Sequence, residues 1–382
     1  MKIGIDISQI VYEGTGVSTY TRSLVQALVK ASRNDEFVLF GSSLRIRRSL
    51  KEFLKSLQAK NVKGKFSCLP PSLLEFLWNG VHLFPIENFI GEVDVFHSSD
   101  WLEPPTRSAK KVTTIHDLTV FKYPETFSPR GGHDIVKNQK RKLFFAKREC
   151  DIIVCVSETT KQDVMEILKI PERKLRVVYE APDPFYSPRS EDNIQKIKEK
   201  FNIGGDYLLC VGTREPRKNL ERAIIAFAEI SRVYADLTLI IAGKYGWGND
   251  SSKFKVQSSK LESRVKILGY VEKEDLPALY SGAQAFIYPS LYEGFGLPIL
   301  EAMSCGCPVI TSNIGSMKEI SGEAALLIDP LSVDNIAGVI SKLCRNQKLK
   351  KEMVLKGSKR AGEFSWDKTA LQTLDLYHSL AG

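Results

Sequence analysis

Short β-branched and aromatic runs alternate with helical patterns along almost all of this 382-residue chain, and the alternation runs twice. The first pass expects strands at 2–7, 37–40, 93–97, 111–116, 151–156 and 175–179, with helices at 17–30, 137–149 and 159–168. Ser157 is placed to cap the last of these helices. Pro182, Pro184 and Pro188 then make a stiff, extended connection, followed by a charged helix over 191–201. The second pass has strands at 207–211, 237–242, 265–268, 285–288, 308–310 and 325–328. Helices are expected at 219–233, 274–281, 298–304 and 333–346, and a tail helix at 364–380. Repeated strand–helix alternation demands parallel strands joined by crossover helices. The expected fold is therefore α/β, with two doubly wound, Rossmann-like parallel-sheet domains facing a cleft. The length suits two cores rather than one. We place the domains at 1–185 and 186–362. A C-terminal helix, 363–382, is expected to pack back on the first domain.

Composition narrows the class. With 43% hydrophobic and 26% charged residues the chain is neither disordered nor fibrous. The net charge is +9, and most of the excess lies in Met1–Glu180, where 28 Lys and Arg stand against 21 Asp and Glu. That suits an anionic surface or substrate. A basic stretch, Leu44–Leu57, carries Arg45, Arg47, Arg48, Lys51 and Lys55 at helical spacing. It can lie on an anionic membrane, but a core-facing surface helix is the better reading of such a pattern. Leu73–Phe84 adds an apolar segment. The longer window Leu73–Ile90, broken by Glu75, Asn79, His82, Pro85 and Glu87, is too interrupted to span a bilayer, and the N-terminus runs straight into a strand without a signal peptide. The scattered, odd set of seven cysteines is a reduced, intracellular pattern, and Cys305-Gly-Cys307 reads as packing. Five histidines without H-x-x-x-H spacing argue against a transition-metal site. The expected location is cytoplasmic, with peripheral attachment to the inner membrane face, and no nucleic acid is expected as a partner.

Four stretches fall at the carboxyl ends of expected strands, where open α/β sheets bind ligands. Gly14-Thr15-Gly16 lets a backbone loop approach a ligand closely, although Thr19 stands where a dinucleotide fingerprint has its third glycine. His116-Asp117 ends a strand. Gly212–Asn219 sets Arg217 and Lys218 just before a helix, a diphosphate clamp in guanidinium and ammonium form. Tyr292–Leu297 is a glycine-punctuated loop bearing Glu293, and Glu301 sits in the first turn of the helix that follows. A ribose diol wants a carboxylate acceptor, which Glu301 supplies. Cations and carboxylate together match a nucleoside diphosphate.

The runs GTREPRKNLERAI, AGKYGWG, LGYVEKEDLPALYSGA and YPSLYEGFGLPILEAMSCGCPVITSN resemble the C-terminal domain of the family 4 retaining glycosyltransferases, which have the GT-B fold. The Glu-x7-Glu spacing of Glu293 and Glu301 is that family's signature. TIHDLTVFKYPETF and FSWDKTA resemble its bacterial mannosyltransferase-like members. The resemblance implies a metal-independent retaining hexosyltransferase, with mannose as one candidate sugar. It would use a nucleotide-diphosphate sugar as co-substrate, with no cofactor and no metal, and a glycan or lipid-linked acceptor. It implies that Glu301 holds the ribose and that Glu293, with the amides of Gly294, Phe295, Gly296 and Leu297, holds the donor sugar. Arg217 and Lys218 would neutralise the leaving diphosphate. His116, beside Asp117, would reach the donor sugar, and Gly14 and Gly16 would border donor and acceptor. His116, Glu293, Arg217 and Lys218 are thus the candidate catalytic residues. Thr213 stands where many members carry an arginine, and Glu180-Ala181 where many carry Asn-Gly. A phosphorylase, a nucleotide-sugar hydrolase or epimerase on the same fold, and a non-catalytic nucleotide-sugar-binding protein are the competing readings.

Overall fold

The computed structural model describes residues 1–43, 47–127, 132–246 and 261–381. The chain forms two compact units. The first contains Met1–Lys122, Pro129–Glu180 and Ser365–Gly382. The second contains Tyr123–Ser128 and Ala181–Phe364. The division thus falls at Glu180–Ala181, five residues before the expected boundary, and a short piece of the first half of the sequence belongs to the second unit.

The first unit carries a seven-stranded parallel sheet. Its strands are β1 (Lys2–Asp6), β2 (Glu36–Ser42), β3 (Val62–Ser67), β4 (Val95–Ser98), β5 (Lys110–Ile115), β6 (Ile152–Cys155) and β7 (Leu175–Val177). Their order is β3-β2-β1-β4-β5-β6-β7. β3 is absent from the expected strands. It is an edge strand, V-K-G-K-F-S, whose Lys63 and Lys65 are exposed and break the apolar run that marks a central strand. The second unit carries a six-stranded parallel sheet of β8 (Tyr207–Val211), β9 (Thr238–Ala242), β10 (Val265–Gly269), β11 (Ala285–Tyr288), β12 (Val309–Ser312) and β13 (Ala325–Ile328). Its order is β10-β9-β8-β11-β12-β13. In both sheets the order reverses beside the first strand, at β1/β4 and at β8/β11, and ligands of open α/β sheets bind at such switch points.

Each sheet is sandwiched by amphipathic helices. In the second unit Leu208, Ile241, Ile287 and Ile310 from four strands pack on Ile224, Phe227 and Ile340 from flanking helices. In the first, Ile115, Ile153 and Cys155 pack on Leu143 and Val164. Ser157 caps the helix Glu158–Leu168 by accepting from the Thr160 amide at 3.0 Å. The helix Arg47–Ser56 turns Leu50 and Phe53 into the core, at 0% and 3% exposure. Its apolar face is therefore consumed by packing and is not open to a membrane. Leu44, Arg45 and Ile46 lie outside the described residues, as do Trp247 and Gly248 of the AGKYGWG run. The helix Trp366–Ala381 packs along Gly16–Ala31 within the first unit. There Thr369 donates to the Tyr179 carbonyl at 2.7 Å, and the buried Tyr377 hydroxyl meets His97 Nδ1 at 2.5 Å. The helix expected at 333–346 ends at Arg345. Asn346 then caps a second helix, Gln347–Ala361, by accepting from Leu349 N at 2.9 Å. Among the described residues no helix is long and apolar enough to cross a membrane.

Candidate active site

The switch point of the second sheet brings three of the expected side chains into direct contact. β8 ends at Val211, and the chain passes through Gly212 (φ +142°) into a 3-10 turn, Pro216–Lys218. Asn219 is left-handed (φ +57°), and the following helix starts at Leu220. Arg217 and Lys218 thus have a turn of their own and do not belong to the helix. The Asn219 amide ties the turn down, donating to the carbonyls of Pro289 at 3.0 Å and Pro330 at 2.7 Å. Leu291 N donates to the Arg217 carbonyl at 2.8 Å, so the turn and the loop after β11 are held together.

Glu293 sits in that loop, 7% exposed, and bridges both cations. Arg217 Nη1 donates to Oε2 at 2.5 Å and Lys218 Nζ to Oε1 at 2.6 Å. Arg217 Nη2 also pairs with Glu215 at 2.6 Å, and Lys218 Nζ donates to the Tyr288 hydroxyl at 2.8 Å. Burial acts to raise the Glu293 carboxyl, but the charges of Arg217 and Lys218 outweigh it and bring it down to about 2. Lys218 is lowered, first by burial and then by the Arg217 charge, against the pull of Glu293 and Glu215. A small cavity lined by Cys210, Ile241, Ile287 and Leu220 lies against Lys218, and its apolar walls explain that desolvation. The site therefore holds an ionised carboxylate and two fixed cations at the carboxyl ends of β8 and β11. Glu215 completes it, and the sequence signal for Glu215 was only its place two residues before Arg217.

Glu301 stands apart from this cluster. The helix Leu297–Ser304 begins after Gly296 (φ +104°), so Glu301 is its fifth residue and lies beyond the first turn. It is not a dipole partner of its own helix terminus. Its half-buried carboxylate accepts from the Tyr280 hydroxyl at 3.2 Å and is also hydrogen-bonded by Tyr186. Burial dominates and pushes Glu301 up to about 7, with those two hydrogen bonds opposing it. Gly296 brings no side chain to cap the helix. Phe295 is buried with its ring against Phe364, and Gly294, Phe295 and Leu297 complete the turn between the two glutamates. Tyr123 joins this unit from the first half of the sequence, its ring centroid 5.6 Å from that of Tyr292. Nothing in the local pattern of FKYPETF signalled that placement.

The other expected residues belong to the first unit. His116 follows β5, and its Nδ1 hydrogen-bonds Glu180 Oε1 at 2.9 Å. Burial acts to lower His116, but the bond and charge of Glu180, with the charges of Asp100 and Asp117, outweigh it, so His116 is raised. The Tyr20 ring meets the imidazole edge to face at 4.6 Å. Asp117 accepts from Thr119 N at 2.8 Å and so caps a short turn of helix. Gly14 (φ +77°) precedes Thr15, which caps the helix Gly16–Ala31 through Ser18 N at 3.3 Å. Gly14 and Gly16 are exposed, and a Cβ built on Gly16 meets no atom within 4 Å. His116 and Asp6, Gln9, His97 and Asp100 border a small cavity at the switch point of this sheet, with Ile5, Leu24 and Val25 also in its wall. Glu180 stands at the bend where many family members have asparagine, and here it is the histidine's partner. Among the described residues no three His, Cys, Asp or Glu side chains are grouped to hold a metal ion.

Comparison with known proteins agrees with this architecture. Residues 14–184 match the model for glycosyltransferase family 4, and residues 192–360 match that for glycosyl transferases group 1. The chain is 31% identical to O-antigen chain mannosyltransferase B of Escherichia coli over the whole of both chains. Its fold is similar to that of sucrose-phosphate synthase from Thermosynechococcus elongatus (TM-score 0.75, 20% identity, 100% of this chain and 99% of that one). It is also similar to Anabaena HepE in complex with UDP and glucose (TM-score 0.72, 18% identity, 99% and 100%). The chain belongs to the family 4 glycosyltransferases, has the GT-B fold, and is a glycosyltransferase.

Proposed function

We propose that the chain transfers mannose, with retention and without a metal, from nucleoside-diphosphate mannose to a glycan or lipid-linked glycan at an anionic membrane surface. The observation that carries the sugar is the full-length likeness to an O-antigen chain mannosyltransferase. The competing hydrolase, epimerase, phosphorylase and pure binding readings have no such support. Glu301 would accept the ribose hydroxyls and Glu293 the sugar hydroxyls. Lys218 directs two of its three N–H bonds at Glu293 and Tyr288, which leaves one for a phosphate oxygen. In the transfer, the bond from C1 to the phosphate oxygen breaks and its electron pair stays on the diphosphate. The acceptor hydroxyl oxygen bonds C1 on the same face, and its proton passes to the departing phosphate. The charge that grows on the diphosphate is met by Arg217 and Lys218, which are already oriented by Glu293 and Glu215. His116 would contact the donor sugar, as the likeness to the family implies.

A panel of GDP-mannose, UDP-glucose, UDP-GlcNAc and UDP-galactose, read by thermal shift and by product anomer in NMR, tests this. A mannose donor should bind, give an α-configured product from an α-configured donor, and persist when acceptor is withheld. Binding of UDP sugars alone would sink the mannose assignment, and fast loss of donor without acceptor would sink transfer.

A further inference from the structure

The segment Leu73–Phe84 shows side chains that a monomeric protein normally hides. Leu73, Phe76, Val81, Leu83 and Phe84 are 38–59% exposed within twelve residues, whereas exposed large apolar side chains are usually scattered singly. The backbone holds them outward. His82 (φ +55°) and Phe84 (φ +65°) are both left-handed, a conformation that disfavours a bulky non-glycine residue and persists only where the surroundings fix it. The surrounding structure fixes it from beneath. The buried Trp78 donates from Nε1 to the Phe84 carbonyl at 3.0 Å, and Leu83 N donates to Leu77 O at 2.8 Å. The His82 ring stacks on Phe145 at 3.7 Å and hydrogen-bonds Glu149 at 2.6 Å.

That stack joins the segment to the helix Gly132–Glu149. On this helix Lys137, Lys140, Arg141, Lys147 and Arg148 are exposed, and none of them pairs with a carboxylate among the described residues. Phe144, 52% exposed, lies beside Phe145 with the Arg148 guanidinium 5.2 Å from its ring centroid. Arg141, Arg148 and Lys137 follow Phe145 around the exposed side of the helix, so one surface combines an apolar ridge with adjoining cations, while Lys140 turns away, its Nζ 5.1 Å from the Phe121 ring centroid.

We propose that this surface, and not the helix Arg47–Ser56, docks on an anionic lipid bilayer. The Leu73–Phe84 ridge enters the boundary between headgroups and acyl chains, and the cations of Gly132–Glu149 lie against anionic headgroups. The charges decide against a second copy of the chain as the occupant, because a two-fold contact through this face would set like charges against each other. The proposal deepens the membrane clause of the proposed function and is independent of the donor sugar.

Co-sedimentation with vesicles of phosphatidylcholine, alone or with about a third phosphatidylglycerol, tests it. The full chain should bind the anionic vesicles, and high salt should weaken binding. The triple variant F76S/L83S/F84S should lose at least about tenfold in binding. The triple variant K137Q/R141Q/R148Q should lose about fivefold per cation and flatten the salt response. The equal-charge control K348Q/K351Q/K359Q should bind as wild type. Nucleotide-sugar thermal shifts should be unchanged in all variants, which shows that they fold. If the triple serine variant binds as tightly as wild type, the docking surface is refuted. Absence of vesicle binding, with a concentration-dependent dimer that the same variant abolishes in sedimentation velocity, would assign the ridge to self-association instead. Vesicle binding that survives while no mannose donor binds would overturn only the sugar assignment.

Discussion

Replacing Glu301 by glutamine should stabilise the protein and weaken donor binding, and both effects should follow pH. A carboxyl raised from 4.5 to about 7 is ionised in the fold at a cost of about 3 kcal/mol relative to its neutral form. Water that reaches a half-buried group reduces this to about 2 kcal/mol. Below pH 4.5 the folded and unfolded chains both hold the proton. Between 4.5 and about 7 the folded chain holds more, so stability falls as pH rises through that window and stays reduced above it. Glu301→Gln removes the charge while its amide oxygen can still accept from Tyr280 and Tyr186. At pH 8 the variant should melt about 4–8 °C above wild type, and at pH 4.5 the two should coincide. With Glu301 as the proposed ribose acceptor, donor binding should run the other way, because an ionised carboxylate is the stronger acceptor for a diol. From pH 6 to pH 8 the ionised fraction of Glu301 grows about tenfold, so wild-type affinity should grow by a similar factor. The variant should be weaker at pH 8 and lack that gain. Calorimetry with an intact nucleotide sugar is the assay, since its esterified diphosphate does not titrate in this range. Equal melting temperatures at pH 8, or equal affinities for the two proteins there, would refute the reasoning.

Lys218→Ala should cost about 10²–10³ in turnover with the fold retained, read by initial rates at saturating donor; an unchanged rate would remove Lys218 from the leaving-group site. Glu180→Gln keeps a partner for His116 but removes the charge that raises it, so the imidazole should titrate at lower pH by NMR, and any acid limb of the rate profile should move the same way. Gly243→Ala should destabilise the second unit by at least about 3 kcal/mol, because its φ is +149° and a Cβ there would lie 1.9 Å from the Gly212 carbonyl oxygen; Gly269→Ala, at φ +74° in open space, should cost about 1 kcal/mol, and equal denaturant midpoints for the two would contradict the close-approach argument.

What the sequence disclosed and what it hid divide along one physical line. Hydrophobic period is local, so central strands such as Tyr207–Val211 and Ala285–Tyr288 stand in the chain where their apolar runs predict them. Val62–Ser67 escaped because an edge strand is marked by charge and glycine rather than by apolar content. Gln347–Ala361 escaped because its helical face is lysine-rich and its start depends on one asparagine cap. Side-chain partners are set by sheet order, which no local pattern encodes. His116 and Glu180 are 64 positions apart and meet because β5, β6 and β7 run side by side. Tyr280 reaches Glu301 across the β11 neighbourhood for the same reason. The seven-residue gap between Glu293 and Glu301 is legible, but the division of labour between them is not.

That division follows from surroundings alone. Both residues are glutamates, and burial alone would raise both. Glu293 lies between a guanidinium and an ammonium at 2.5 and 2.6 Å, and it stays ionised at any physiological pH. Glu301 has two tyrosine hydroxyls and the more weakly felt Lys273 charge, which burial outweighs, pushing it up to about 7. Groups whose environments push their protonation apart mark different chemical duties. A permanently ionised Glu293 does two things at once: it fixes the geometry of Arg217 and Lys218, and it cancels part of their charge. With Glu215 included, the four side chains sum to zero before donor arrives. A diphosphate is then attracted less by net charge than by N–H groups already aimed, so donor affinity should depend only weakly on ionic strength. A steep loss of nucleotide-sugar affinity between low and high salt would show that the cations act as a free electrostatic patch and that Glu293 releases them when the donor binds.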